Sequence, residues 1–118
     1  MARTVLNVTK LNDVNVAAAA APFSGMLVAP NATSGAEFAA GKDYKTLLLI
    51  VNDGSGTASL TIHHGNGLQG VADLTVSLSA GQFTIITLDS GRFKNVSGDD
   101  KGKVLLSGTA KVAVFEGP

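Results

Sequence analysis

A chain of 118 residues is one domain by length, and a domain of this size buries roughly two-thirds of its unfolded surface. Nine Lys and Arg balance nine Asp and Glu, and charged residues make up only 15% of the chain where about 25% is usual. Bulk attraction to nucleic acid or an anionic membrane is therefore excluded, and association through shape is favoured. Cysteine is absent, which removes disulfides and thiolate metal sites, and no run of about 18 apolar residues offers a membrane-spanning helix.

The first forty residues are the least regular. TVLNV (4–8) is a short β-prone run. NVAAAAAPFS (15–24) ends in small residues, as a signal-peptide cleavage site does, but a signal also needs roughly 7–15 uninterrupted apolar residues. Asn7, Thr9, Lys10, Asn12, Asp13 and Asn15 break that stretch. An isolated helix this short is marginal in water, and Pro22 disfavours helical geometry at Ala21. The tract reads as a linker or arm whose small side chains can lie close against a neighbouring surface. MLVA (26–29) is a second short β-prone run, and NATSGAEFAAGKD (31–43) is small and polar, as a loop would be. Asn7, Asn31 and Asn95 open N-x-S/T triplets that carry no meaning without export.

From Lys45 onward the pattern is β-rich and punctuated by Gly, Asp, Ser and Asn. KTLLLIVN (45–52) is nearly continuous in apolar residues and predicts a strand covered on both faces, or a central strand of a packed sheet. TASLTIHH (57–64) alternates, with Leu60 and Ile62 on one side, so the two runs predict a hairpin across Asp53-Gly54-Ser55-Gly56. In DLTVSLSAGQFTIITL (73–88), Leu74, Val76 and Leu78 alternate with Thr75, Ser77 and Ser79 before Ala80-Gly81 reverses the chain. The second strand is apolar on both faces, which predicts a core on one side and a covering surface on the other. A third hairpin is expected in KVLLSGTAKVAVFE (103–116), turning at Ser107-Gly108-Thr109. Six strands with turns about every 8–12 residues predict an all-β fold, a single β-sandwich or a jelly-roll-like β-barrel. The domain spans 42–118, with 1–41 as an arm or extension packing on it or on a neighbour.

No constellation of residues points to catalysis. His63 and His64 are adjacent, so in a strand their rings diverge and do not share one ion. Asp99, Asp100 and Asp89 lack the spacing of an EF-hand, and turn formation accounts for them. The loops Gly54-Ser55-Gly56 and Gly65-Asn66-Gly67 lack the Lys-Ser/Thr ending of a phosphate loop. No G-x-S-x-G elbow or oriented Ser–His pair is visible. The expectation is a structural or binding module, not an enzyme, with no cofactor and no metal. A carbohydrate-binding sandwich is the weaker alternative, because no Trp and one Tyr leave little to stack on sugar.

Three segments in order, GKDYKTLLLIVNDGSGTASLTI (41–62), GLQGVADLTVSLSAGQFTIITL (67–88) and DDKGKVLLSGTAKVAVFEG (99–117), follow an opening TVLNVTKLNDVNVAAAAA (4–21). Together they resemble small tailed-bacteriophage head decoration, or cement, and minor capsid structural proteins. The resemblance covers most of the chain. It rests on Gly41 with Lys45-Thr46-Leu47-Leu48, the Asn52-Asp53-Gly54 turn, Val71-Ala72-Asp73 and the Ala80-Gly81 reversal. It departs at Leu88-Asp89-Ser90-Gly91 and Phe93-Lys94-Asn95, where many such sequences have a proline-rich segment and then Tyr-Asn.

The resemblance implies a virion structural protein, made in the host cytoplasm, that decorates and stabilises the outer capsid surface by binding the major capsid protein lattice. A tail, baseplate or fibre accessory role is the alternative. A homo-oligomer is expected, a trimer first, since capsids offer threefold positions; nucleic acid and membrane are not expected partners. The expected capsid or oligomer contacts are Val16, Ala17, Ala18, Ala19, Ala20, Ala21, Pro22, Phe23, Met26 and Phe93.

Overall fold

A computed structural model describes residues 3–11, 13–18, 20, 25–40, 45–67, 72–88 and 90–117. Among these residues nine strands follow in chain order: β1 (Thr4–Val5), β2 (Val8–Lys10), β3 (Ala36–Ala39), β4 (Thr46–Val51), β5 (Ala58–Ile62), β6 (Leu74–Leu78), β7 (Phe83–Leu88), β8 (Lys103–Gly108) and β9 (Lys111–Glu116). A single helical turn, α1 (Ser90–Phe93), links β7 to β8. They form two mixed sheets, β1-β3-β8-β5-β6 and β2-β9-β4-β7. The sheets pack as a β-sandwich, not a closed barrel.

Period-two burial builds the core. Thr46, Leu48 and Ile50 of β4 point inward, and Ala58, Leu60 and Ile62 do the same from β5. Phe38, Val104, Leu106, Val112 and Val114 complete the buried layer. Among the described residues, no helix is long and apolar enough to cross a membrane.

None of the three expected hairpins is one. β4, β7 and β9 lie in one sheet and β5, β6 and β8 in the other, so 52–57, 79–82 and 109–110 are arches that carry the chain between sheets. Pairing instead joins β4 to β7 and β9, and β5 to β6 and β8. The reason is that a hairpin and an arch bury the same alternate residues, and turn residues serve either. All three arches lie at one end of the sandwich, because β4, β6 and β8 run in the same direction into them.

Asn52, 5% exposed, holds two arches together. Its Nδ2 donates to Gly56 O at 2.7 Å and to Leu78 O at 3.1 Å, and its Oδ1 accepts from Gly54 N at 3.1 Å. Its backbone joins the same junction, donating to Gln82 O and accepting from Gly81 N, both at 2.9 Å. The third arch hangs on β5, where Thr109 N and Ala110 N both donate to Ser59 O.

The amino-terminal region is more ordered than its composition suggests. TVLNV is not one strand: β1 pairs parallel with β3 in one sheet and β2 pairs parallel with β9 in the other. The chain crosses between them at Leu6, 6% exposed, and so ties the two sheets along one side. In 26–29, Val28 alone makes a bridge, to Val112. The expected loop 31–43 contains β3, whose Ala36 and Phe38 are buried against β8.

Candidate functional site

The two outer faces of the sandwich differ in chemistry. Outside β5, β6 and β8 the side chains are Ser59, Thr61, Thr75, Ser77, Leu105 and Ser107, with Glu37 and Lys103 beside them. Lys103 Nζ lies 2.8 Å from Glu37, and Arg3 reaches Glu37 at 3.5 Å and Asp100 at 2.9 Å. The hydrogen bond that Lys103 donates to Glu37 holds its ammonium above the ordinary pKa, and the one that Arg3 donates to Asp100 does the same for the guanidinium.

Outside β4, β7 and β9 the face is apolar. Leu47, Leu49 and Val51 stand beside Thr87, Ile85 and Phe83 on one flank and beside Phe115, Ala113 and Lys111 on the other. Phe83 is 65% exposed and Ile85 53%, while Leu47, Leu49, Val51 and Phe115 are half-buried. Lys111 is the only charged side chain these three strands place on that face, and Asp53 holds it at 2.9 Å. Covering Phe83 and Ile85 would remove on the order of 200 Å² of apolar surface from water, worth about 5 kcal/mol before the costs of association. The expectation that the 83–88 strand lies between a core and a second covering surface holds on one side only: Leu88, Ile86 and Thr84 face inward, whereas Phe83, Ile85 and Thr87 are exposed, with no cover among the described residues.

The residues expected to make contacts are not gathered at one place. Val16 is 54% exposed, Ala17 and Ala20 are exposed and Ala18 is half-buried, all without regular structure; Ala19, Ala21, Pro22 and Phe23 lie outside the described residues. Met26 lines an open recess of about 390 Å³ with Val5, Leu6, Val28 and Val112–Phe115. Phe93 corrects the expectation, for it is 4% exposed and part of the core, so its ring is not available to a partner. It is turned inward by α1, with the Arg92 guanidinium 4.8 Å over the ring.

The histidines also behave otherwise than expected. β5 ends at Ile62, so strand alternation does not apply to them, and both rings approach one carboxylate. His63 Nδ1 lies 3.2 Å from Asp73 Oδ2 and His64 Nε2 lies 3.8 Å from Asp73 Oδ1. His63 Nε2 is 2.8 Å from Ser107 Oγ, on β8. With Nδ1–H donating to the carboxylate, Nε2 accepts from the hydroxyl, and one tautomer satisfies both contacts.

The order Ser107–His63–Asp73 is that of a hydroxyl, a base and a carboxylate that orients the base. Its environment is open, however, with His63 39% and Asp73 41% exposed. Acyl transfer also needs N–H donors aimed at an oxyanion. The main-chain N–H groups of Thr33 and Ser34, which line a second recess of about 270 Å³ with His63 and Ser107, both donate to Asn31 Oδ1. What the contacts accomplish is to tie Asp73 to His63 and His64 at the end of β5, and His63 in turn to Ser107 of β8. The carboxyl of Asp73 is held below its ordinary value, first by the N–H of His64 at 2.9 Å and then by His63. Nothing in the sequence marks Ser107 as the partner of a histidine 44 residues earlier, because only the β5–β8 ladder brings them together.

No family model, curated protein or solved structure matches the chain.

Proposed function

We propose that this chain is a non-enzymatic virion structural protein that decorates the outer surface of a tailed-phage capsid by binding the lattice of its major capsid protein as a homo-oligomer. The observation that carries the reading is the outer face of β4, β7 and β9: an apolar surface centred on Phe83 and Ile85, whose one charge from these strands, Lys111, is held by Asp53, on a sandwich with zero formal net charge. A protein that occupies many equivalent lattice sites needs a preformed module and a contact made by shape, with neither sign of charge dominating. Many copies then stabilise the shell by mass action, because each binds the assembled lattice in preference to its open form. The ordered resemblance of 41–62, 67–88 and 99–117 to head decoration proteins supports the same reading.

The test is sedimentation. Purified protein mixed with undecorated capsids of the phage that encodes it should pellet with the shells, and Phe83→Glu, which sets a charge on the apolar face, should pellet much less. Wild-type protein found only in the supernatant would sink the proposal.

A further inference from the structure

Strand β7 is an edge, and the molecule protects its edges unequally. β1 and β2, which border the two sheets on the opposite side, are two and three residues long, and β2 carries Lys10. Short length and charge are two of the devices by which proteins keep edges from pairing with other chains. β7 has neither. Its six residues, Phe83-Thr-Ile-Ile-Thr-Leu88, include no charge, proline or glycine, and among the described residues only β4 pairs with it.

Its free backbone groups can be assigned. In an antiparallel ladder alternate residues turn their N–H and C=O toward the partner. Asn52 N donates to Gln82 O, and the register pairs Ile50 with Thr84, Leu48 with Ile86 and Thr46 with Leu88, so even-numbered residues of β7 serve β4. On the far side of β4, Gly117 N donates to Lys45 O, which assigns the odd residues of β4 to β9 and agrees with this phase. Phe83, Ile85 and Thr87 therefore direct their N–H and C=O groups out of the open edge, and the same three carry the exposed outer side chains.

We infer that β7 pairs antiparallel with β7 of a second copy about a twofold axis at Ile85, joining the two four-stranded sheets into one. Ile85 then faces its own counterpart, and Phe83 faces Thr87 of the other copy in both directions. All outward groups of the three residues are used, in about six main-chain hydrogen bonds, two per bonded pair. The axis makes the contact self-complementary and closed, so it yields dimers and not fibres. Zero net charge and an uncharged edge put no repulsion in the way. The other long edge, β6, is a poorer candidate, since the side chains it exposes are Thr75 and Ser77. The joined sheet also brings the two apolar outer faces side by side.

The full chain, without capsids, is to be studied by sedimentation equilibrium and light scattering from micromolar to submillimolar concentration. The mass expected is twice the 11.9 kDa of one chain. Two variants alter exposed positions and leave the core intact. Thr87→Pro removes one edge N–H, and Ile85→Lys sets two ammonium groups across the axis; each should weaken the dimer about tenfold or more. Because the chain has no cysteine, Ile85→Cys should form a covalent dimer with a short thiol-to-thiol crosslinker, while Ser77→Cys on β6 should not. A monomer throughout the range, a trimer, or a dimer that Ile85→Cys fails to capture and Thr87→Pro fails to weaken would each overturn the inference. None of these readouts involves capsid binding, so the inference and the decoration role fail separately.

Discussion

Replacing Asn52 by Ala removes the side chain that joins two arches, and the structure allows its cost to be worked out. Three hydrogen bonds disappear, to Gly56 O, Leu78 O and from Gly54 N. Each is worth about 1 kcal/mol net, and the buried Leu78 carbonyl loses a donor that water cannot readily replace, which adds roughly another 1 kcal/mol. The total is about 4 kcal/mol, a large share of the roughly 5–15 kcal/mol available to a domain. In urea, with a slope of roughly 1.5–2 kcal/mol/M, the midpoint should fall by about 2 M with the slope unchanged. Asn52→Asp sharpens the test: it keeps an acceptor for Gly54 N but turns a carboxylate toward two carbonyl oxygens. That raises the folded-state carboxyl pKa, so its loss should exceed that of Asn52→Ala at neutral pH and shrink as the acid protonates. A loss below about 1 kcal/mol for Asn52→Ala would refute the reasoning.

Leu6→Ala should cost about 2–4 kcal/mol in the same assay, because Leu6 is buried where the chain passes between sheets; a neutral result would make the segment a detachable arm. Gly108 has φ of 131°, and an added Cβ would meet the carbonyl oxygen of Ser59, so Gly108→Ala should destabilise by about 2 kcal/mol or more, with melting temperature as the readout. Asp73 has a depressed carboxyl pKa, so its contribution is present above the ordinary value of 3.8 and is lost as pH falls through the lower folded value. The urea midpoints of wild type and Asp73→Asn should therefore differ at pH 7 and converge in strong acid; a gap of equal size at both would show that ionisation of Asp73 plays no part.

Much of the architecture is legible in single strands and little of it in their partners. The alternation of Leu60 with Ile62, and of Leu74, Val76 and Leu78, marks strands and inward faces correctly. The pairing of β4 with β7, 38 positions apart between Leu48 and Ile86, leaves no local trace, and the nearby turn suggests the wrong neighbour. β3 escapes because Ala36 and Ala39 are small and Glu37 is polar; the Ala36-x-Phe38 alternation was its only signal. The apolar outer face shows in the sequence as a strand apolar on both sides, whereas the burial of Phe93 does not, because sequence does not show which way a one-turn helix faces.

The arches have a consequence for how the chain folds. No two strands joined by a tight turn pair with each other, so no local ladder can form early and seed the rest. The β5–β6 pair closes the shortest interval, with Leu60 meeting Val76, and β9 must enter between β2 and β4 before that sheet is complete. Loop-closure entropy is therefore spent before most contacts return anything, which places folding on the millisecond-to-second scale of nonlocal β proteins. Until Lys111–Glu116 has been synthesised, Val8–Lys10 has no strand to join, and the unguarded β7 edge is present on an unfinished sheet.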